Sequence, residues 1–554
     1  MSDPALRVLA DVFGYGGFRG QQRSIVQQLL QGGHALVLMP TGGGKSLCYQ
    51  LPALMRPGTG VVVSPLISLM QDQVSQLQQR GIRAMALHSG LSFEAQQAVY
   101  ASVLAGECKL LYLAPERLLA PRMLATLVQI QLALFAIDEA HCVAQWGHDF
   151  RPEYLRLSVL CERWPTVPRV ALTATADLRT RREIAARLQL QQAPWFVSSF
   201  ERHNIFYQLV HKRQARRQLL QFLRDEQAGQ SGIVYCLSRR RVDELTAWLQ
   251  EEGVDALAYH AGLDTALRTR NQELFLEGSG QVMVATTAFG MGVDKPDVRF
   301  VAHMGLPRSI EAYYQETGRA GRDGLPATAW LVYDLQDVML LHQLMAHPDS
   351  SDQMCQREHG RLGAMLAFCE ELGCRTQALL RYFGEELNQQ CGHCDLCVEP
   401  VRTWDATDCV RKALSAVYRT GQSYGVGHLV NVLCGRSTKP VKERGHDRLP
   451  IFALGRGVSA DCWRSVYRQL LARGCVVVAP GGRGLRLAEQ CRPLLRGELR
   501  IELRRDQYET RSRPGHREVF RHECGFPDGC QAPVREALPR RESAEWSLLP
   551  LERG

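Results

Sequence analysis

The sequence predicts an α/β protein: two tandem parallel-sheet domains, then a helical subdomain organised by cysteines, then a winged helix. Three observations carry that reading. Short β-rich apolar runs alternate with helical stretches from about residue 34 to 300 and fall into two series; four cysteines cluster between 374 and 397; and positive charge gathers in residues 402–503, which close on two short strands around a glycine-rich turn.

The 554 residues are 45% hydrophobic and 22% charged, ordinary globular values. At about 150 residues per domain the chain accommodates three or four units. No apolar run approaches the roughly 18 to 20 residues of a membrane helix. The start, "MSDPALRVLADVFGYGG", lacks the basic, apolar and small-residue order of a secretory signal, so a soluble, non-exported protein is expected. Eighteen cysteines could mark a disulfide scaffold, but most lie singly in apolar strings such as "IVYCL" and "KSLCYQ". There a buried free thiol in a reducing cytoplasm fits better. Of the net charge of +9, residues 402–503 supply +10, with 18 Lys and Arg against 8 Asp and Glu. That segment is either a phosphate-binding face or a solvated basic surface.

The first series of strands reads "HALVLMP", "GVVVSPL", "KLLYLAP", "LALFAIDEA" and "RVALTATA"; the second reads "SGIVYCLS", "DALAYH", "QVMVATTAF" and "RFVAHMG". Alternation with helical patterns is the signature of βαβ units. The stretch "QQAPWFVSSFERHNI", residues 191–205, is the expected linker. The expected domains are 1–200 and 201–338 for the two sheets, 339–401 for the cysteine-bearing subdomain and 402–503 for the winged helix. Residues 504–554 have few periodic apolar positions and read as an atypical, disordered tail.

After the first strand, "PTGGGKS" places Thr41, Gly42, Gly43, Gly44, Lys45 and Ser46 at a strand-to-helix turn. Glycines let the backbone wrap phosphate oxygens, the helix offers its N-terminal amides, Lys45 can reach β and γ phosphates, and Ser46 can ligate Mg²⁺. The strict loop pattern would have glycine where Met39 stands. The strand "LALFAI" delivers Asp138 and Glu139 at its carboxyl end, where ligands sit in open α/β sheets. Asp138 can hold Mg²⁺ through water while Glu139 orients the attacking water. Upstream, Tyr15, Arg19 and Gln22 in "GYGGFRGQQ" could stack on and read adenine, or could be an ordinary loop. Arg319 and Arg322 in "YQETGRAGRDG" share a face if helical, and either neutralise charge on a transferring phosphate or form a solvated basic helix.

"MPTGGGKS", "DEAH", "LTATA", "VATTAFGMGVDKPDVR" and "QETGRAGRDG" occur in the order of superfamily 2 helicases and closely resemble RecQ DNA helicases over about residues 5 to 500. The resemblance implies two RecA-like motor domains with ATP and Mg²⁺ between them, and the Met39 departure suits the phosphate loop of helicase-like ATPases. It assigns Tyr15, Arg19 and Gln22 to adenine. It makes "CVAQWGHDFRP" an aromatic-rich loop that senses single-stranded DNA, with Trp146, His148, Phe150 and Arg151 against bases or backbone. Stacking a base on an aromatic is worth roughly 1 to 3 kcal/mol. It also casts "YHAGL", with His260, as a segment gripping the DNA backbone. Implied partners are single-stranded and duplex DNA, with single-strand-binding protein and other repair proteins as candidates. A cytoplasmic, nucleoid-associated monomer moving 3′→5′ in recombination and repair is expected, with no membrane role. An RNA helicase and a regulated DNA-binding or annealing protein are the competing readings.

Cys374, Cys391, Cys394 and Cys397 supply two successive C-x-x-C steps and a fourth thiolate, a set suited to a closed tetrahedral zinc site and matching the RecQ zinc-binding subdomain. His393 could substitute in principle, and a redox disulfide is the alternative. In the basic domain Arg436, Lys439, Lys442, Arg444 and Arg448 are candidate phosphate contacts. The wing tip, Gly481 to Gly484, carries no aromatic wedge. Many RecQ proteins continue into a helical accessory domain, HRDC, and none is recognisable after residue 503.

Overall fold

The computed structural model describes residues 3–144, 151–290, 295–345, 352–479, 482 and 484–506. Trp146, His148 and Phe150, on which the stacking expectation rests, lie outside them, as does the expected tail beyond Asp506.

The first sheet contains β1 (Ala35–Leu38), β2 (Thr59–Val63), β3 (Ala84–Leu87), β4 (Leu110–Leu113), β5 (Leu132–Ile137), β6 (Arg169–Thr173) and β7 (Trp195–Val197), ordered β3-β4-β2-β5-β6-β1-β7. The second contains β8 (Ile205–His211), β9 (Gly232–Tyr235), β10 (Ala256–Tyr259), β11 (Val282–Ala285), β12 (Phe300–His303) and β13 (Ala327–Tyr333), ordered β10-β11-β9-β12-β13-β8. Every pairing in both sheets is parallel. Helices cover both faces, so central strands such as Thr59–Val63 are buried at each position, which explains their unbroken apolar sequence.

The expected linker is partly a strand. Trp195–Val197 pairs with β1 at the sheet edge, and only residues 198–204 connect the two sheets. The zinc-binding candidates follow the second sheet on a helical subdomain containing Asp352–Cys369 and Arg375–Tyr382. The basic domain packs helices Thr407–Arg419, Val426–Leu433 and Ala460–Ala472 against an antiparallel hairpin of β15 (Val476–Val478) and β16 (Leu485–Leu487), the expected wing. Its two ends are closed by antiparallel β14 (Thr403–Asp405) and β17 (Glu502–Arg504). The ordered fold therefore runs past the expected boundary at 503. Arg504 is buried, and Asp506 accepts from Arg468 at 2.9 Å.

Two buried ionic groups hold these parts together. Glu370, at the end of the long helix of the cysteine subdomain, receives the Arg504 guanidinium at 3.0 Å, the Arg468 guanidinium and the Tyr333 hydroxyl. His211 of β8 lies 3.2 Å from Asp506 in the same cluster. One network thus joins the second sheet, the cysteine subdomain and the winged helix. In the other, Arg375 pairs with Asp395 at 2.9 Å, and the second Asp395 oxygen accepts the Leu209 N–H of β8 at 3.0 Å. Arg375 also donates to the carbonyls of Phe368 and Cys369, which satisfies a guanidinium only 1% exposed.

Replacing one member of such a pair strands the other in low dielectric. Arg375→Met should destabilise the protein by roughly 3 to 5 kcal/mol, seen as a lowered unfolding midpoint in denaturant. A midpoint equal to the parent's would show that the pair is not holding the subdomain.

Candidate active site

The backbone of the candidate phosphate loop is set by glycine and by Gln22. Gly44 takes φ 79° at the N-terminus of helix Lys45–Met55, and a Cβ there would come within 2.3 Å of Gln22 Nε2. The Gln22 amide, only 3% exposed, donates to the Gly43 and Gly44 carbonyls at 3.2 Å and accepts the Arg19 N–H at 2.9 Å. Gln22 thus engages the loop backbone directly, while Tyr15, 48% exposed, presents its ring to the cleft. Lys45 Nζ donates back to the Met39 and Pro40 carbonyls at 3.1 and 3.4 Å. Burial lowers its pKa, opposed by the Glu139 and Asp138 charges.

Asp138 and Glu139 leave the end of β5. Glu139 is held in the left-handed region at φ 46°, a strained position for a residue with a side chain. Its N–H donates to Asp138 Oδ1 at 3.0 Å. Burial, then the Glu139 charge, pushes the Asp138 carboxyl up to about 7, with Lys45 opposing. Behind them His141 Nδ1 lies 2.9 Å from Thr173 Oγ1 and 3.3 Å from Glu139 Oε2. Burial pushes the His141 pKa down to about 3, so the ring is neutral.

A cleft of about 380 Å³ runs between the two sheets and is lined by Tyr15, Arg19, Gln22, Thr41, Gly42, Gly44, Lys45, Ser46, Asp138 and Glu139 from one side and Arg319 and Arg322 from the other. Its size suits a nucleotide. The domains meet at glycines. A Cβ on Gly42 would lie 3.5 Å from Arg322 Cγ, and one on Gly318 would lie 3.4 Å from Thr41 Cβ. The expected helical pairing of Arg319 and Arg322 is not what brings them together. Helix Ile310–Thr317 ends before them, and both arginines sit on the turns that follow. Arg319 is 5% exposed and lies against Gly290.

Two residues outside the sequence motifs connect this site to its surroundings. The buried Tyr154 hydroxyl donates to the Asp138 carbonyl at 3.2 Å from the short helix that follows residues 145–150. Arg202 of the linker donates to the carbonyls of Gly318, Ala320 and Gly321 at 2.9 to 3.2 Å. A lone tyrosine and a linker arginine carry no local spacing signal, and only the tertiary fold reveals them.

The candidate DNA contacts divide. Arg151 is half-buried and donates to the Pro65 carbonyl at 2.9 Å. His260 does not face solvent: it is 5% exposed, Nδ1 accepts the Gly262 N–H at 3.1 Å, and Nε2 meets Asp243 at 2.8 Å. Its ring nitrogens hold a turn and are not presented to a phosphate. His88 makes the matching turn with Gly90 in the first sheet. Arg436, Lys439, Lys442, Arg444 and Arg448 are all exposed on the winged helix.

The four cysteines converge as the spacing implied. The sulfurs of Cys374, Cys391, Cys394 and Cys397 lie within 4.8 Å of one another, and Cys391 and Cys397 are 3.8 Å apart. A tetrahedron with Zn–S bonds of about 2.3 Å has edges of about 3.8 Å. The separation is far beyond an S–S bond, which removes the disulfide alternative in this state. Backbone N–H groups of Arg375 and Cys391 point at Cys394 and Cys374 sulfurs at 3.4 and 3.3 Å, supporting thiolates.

Comparison with known proteins agrees with this layout. Residues 19–184 match the DEAD/DEAH box helicase family, 213–324 the helicase conserved C-terminal domain, 335–398 the RecQ zinc-binding family and 400–512 the RQC domain. The chain is 44% identical over 514 residues to the ATP-dependent DNA helicase RecQ of Haemophilus influenzae, covering 92% of this chain and 83% of that protein. It is 45% identical to the RecQ of Pasteurella multocida, over 91% of this chain and 80% of that one. Among solved structures, the DUF1998 helicase MrfA bound to DNA matches with TM-score 0.52 at 18% identity, over 68% of this chain and 54% of that one, a likeness of fold. No helix among the described residues is long and apolar enough to cross a membrane.

Two outcomes follow from the geometry. The Asp138 pKa is raised from 3.8, so the folded state gains stability by holding a proton at low pH and loses that contribution as pH rises through about 7. In metal-free buffer above pH 7, Asp138→Asn should therefore raise the thermal unfolding midpoint, with the gain shrinking as pH falls toward 3.8; a pH-independent difference contradicts this. Tyr154→Phe should lower DNA-stimulated ATP turnover while leaving turnover without DNA near the parent value, if the Tyr154 hydroxyl on the Asp138 carbonyl carries the response to DNA, because it removes that hydrogen bond. Equal losses with and without DNA would show that Tyr154 supports the site without relaying DNA binding.

Proposed function

Because the chain belongs to the RecQ family of ATP-dependent DNA helicases, we propose that ATP hydrolysed in the cleft between its two motor sheets drives 3′→5′ movement along single-stranded DNA, separating duplexes in recombination and repair. The observation that carries this reading is the divided site: Lys45, Asp138 and Glu139 face the cleft from one sheet and Arg319 and Arg322 from the other. A site split between two domains is completed only when they close, which is how hydrolysis becomes coupled to domain movement.

In this reading Tyr15 stacks on adenine, with Arg19 and Gln22 beside it. The amides from Thr41 to Gly44 wrap the phosphates, Lys45 neutralises their charge, and the two arginines meet charge developing at the γ-phosphate. Ser46 and Asp138 would hold Mg²⁺, which supplies charge neutralisation when bound. Glu139 orients the attacking water and takes its proton, with the neutral His141, held by Thr173, packed beside it. Cys374, Cys391, Cys394 and Cys397 would hold zinc as a structural ion. Arg436, Lys439, Lys442 and Arg444 would contact duplex phosphates, and Trp146, Phe150 and Arg151 the single strand.

Strand separation of a duplex with a 3′ single-stranded tail, compared with a 5′ tail, tests the polarity. Separation should require ATP, Mg²⁺ and the 3′ tail. Lys45→Ala should abolish ATP hydrolysis and separation while leaving DNA binding largely intact. Preference for the 5′ tail would overturn the polarity, and near-normal hydrolysis by Lys45→Ala would overturn the site.

A further inference from the structure

The segment joining the two sheets is held at both ends. At its start, the Glu385 carboxylate of the zinc-binding subdomain accepts the Ser199 hydroxyl at 2.5 Å and the Phe200 N–H at 2.8 Å. The Phe200 ring stacks on Phe383 of the same subdomain, centroids 4.7 Å apart at 11°. The Phe200 carbonyl accepts the Tyr314 hydroxyl at 2.9 Å from the helix that leads to the arginine turn.

At its end, the segment grips that turn. Among the described residues, every hydrogen bond of the Arg202 guanidinium runs to a main-chain carbonyl: Gly318 at 3.2 Å, Ala320 at 2.9 Å, Gly321 at 3.1 Å and, on the phosphate loop, Thr41 at 3.5 Å. Asn204 adds donations to Gly321 and Leu325, each at 2.8 Å. A planar guanidinium fixed on several carbonyls sets distance and angle together, as a lysine point charge does not. These carbonyls flank Arg319 and Arg322, and one belongs to the loop those arginines face.

We propose that Arg202 is a positioning residue for phosphoryl transfer: it sets the arginine turn over the phosphate loop, and Glu385 of the zinc-binding subdomain sets where Arg202 stands. The inference rests on the proposed assignment of Arg319 and Arg322 to the γ-phosphate. It gives the zinc-binding subdomain a part in hydrolysis beyond stabilising the fold, exerted through six residues of linker, Ser199 to Asn204.

The test is DNA-stimulated ATP turnover by the full-length, zinc-loaded protein. Misplacing a reacting group by about 1 Å can cost about 100-fold, so Arg202→Ala should lower kcat by that order while the KM for ATP changes little. Arg202→Lys should recover part of the loss. Glu385→Gln should also lower kcat, with zinc content and unfolding midpoint unchanged. In a background lacking both Arg319 and Arg322, Arg202→Ala should have little further effect, since it acts through them. Parent-like kcat in Arg202→Ala, or losses that simply multiply with those of the arginine variants, would overturn the inference. Should Arg202→Ala fail to fold, Arg202→Lys and Glu385→Gln decide it, and parent-like kcat in both overturns it. If Arg319→Ala and Arg322→Ala themselves keep full turnover, the arginine assignment fails and removes the premise, a result distinct from failure of Arg202 alone.

Discussion

The charged groups that line the cleft come from both motor sheets. Lys45, Asp138 and Glu139 belong to one sheet, and Arg319 and Arg322 to the other. How the two are held depends on the seam between them, where Gly42 and Gly318 stand. With side chains at Gly42 and Gly318, contact with Arg322 and Thr41 would begin at the Cβ. Small residues at the seam permit the approach without enforcing it. The enforcement comes from what surrounds the linker.

The zinc-binding subdomain is placed to supply that enforcement. It reaches the second sheet through Asp395 and Leu209, the first motor domain through Phe383 and Arg181, and the linker between them through Glu385. Its own geometry is fixed by four converging sulfurs and by the Arg375–Asp395 pair. The buried Glu370 cluster extends the chain of contacts to the winged helix, whose exposed basic residues lie at the far end. A structural metal site of this kind contributes on the order of 10 kcal/mol to local folding, enough to make the subdomain a rigid body against which a linker can be registered.

The residues that line the cleft and the four converging cysteines were largely legible in the sequence, because the phosphate, metal and carboxylate roles proposed for them demand particular residue types at short, fixed spacings. "TGGGKS", "DEAH" and the C-x-x-C steps each describe one turn of backbone. The central strands were legible for a related reason, since burial on both faces leaves an unbroken apolar run. The edge strand Ala256–Tyr259 was legible as "DALAYH", but both edges of the first sheet were not: Ala84–Leu87 is alanine-rich and half exposed in the middle, and Trp195–Val197 is three residues long inside what reads as a linker. The seven-residue strands Ile205–His211 and Ala327–Tyr333 pair with each other across more than a hundred positions, and no local pattern announces that. His260 misled because a histidine between a strand and a glycine suits either a surface contact or an internal turn, and only burial distinguishes them. Arg319 and Arg322 were found by a helical argument that the structure does not support. They reach the cleft on a turn held from the linker.

Four residues whose contacts only the tertiary fold reveals share one property that bears on how such a site is controlled. Tyr154 holds the Asp138 carbonyl, Gln22 the Gly43 and Gly44 carbonyls, Arg151 the Pro65 carbonyl, and Arg202 the carbonyls of the arginine turn. Each grips backbone and not the charged ends that face the cleft. A contact of that kind cannot alter the charge of a catalytic group, but it can move the group, and phosphoryl transfer is sensitive to position above all. Under the proposed roles, an input through Tyr154 and one through the linker would arrive in the same form, as displacements of the strand end at Asp138 and of the arginine turn. Two inputs expressed as displacement can add or oppose each other at one cleft without either touching the nucleotide.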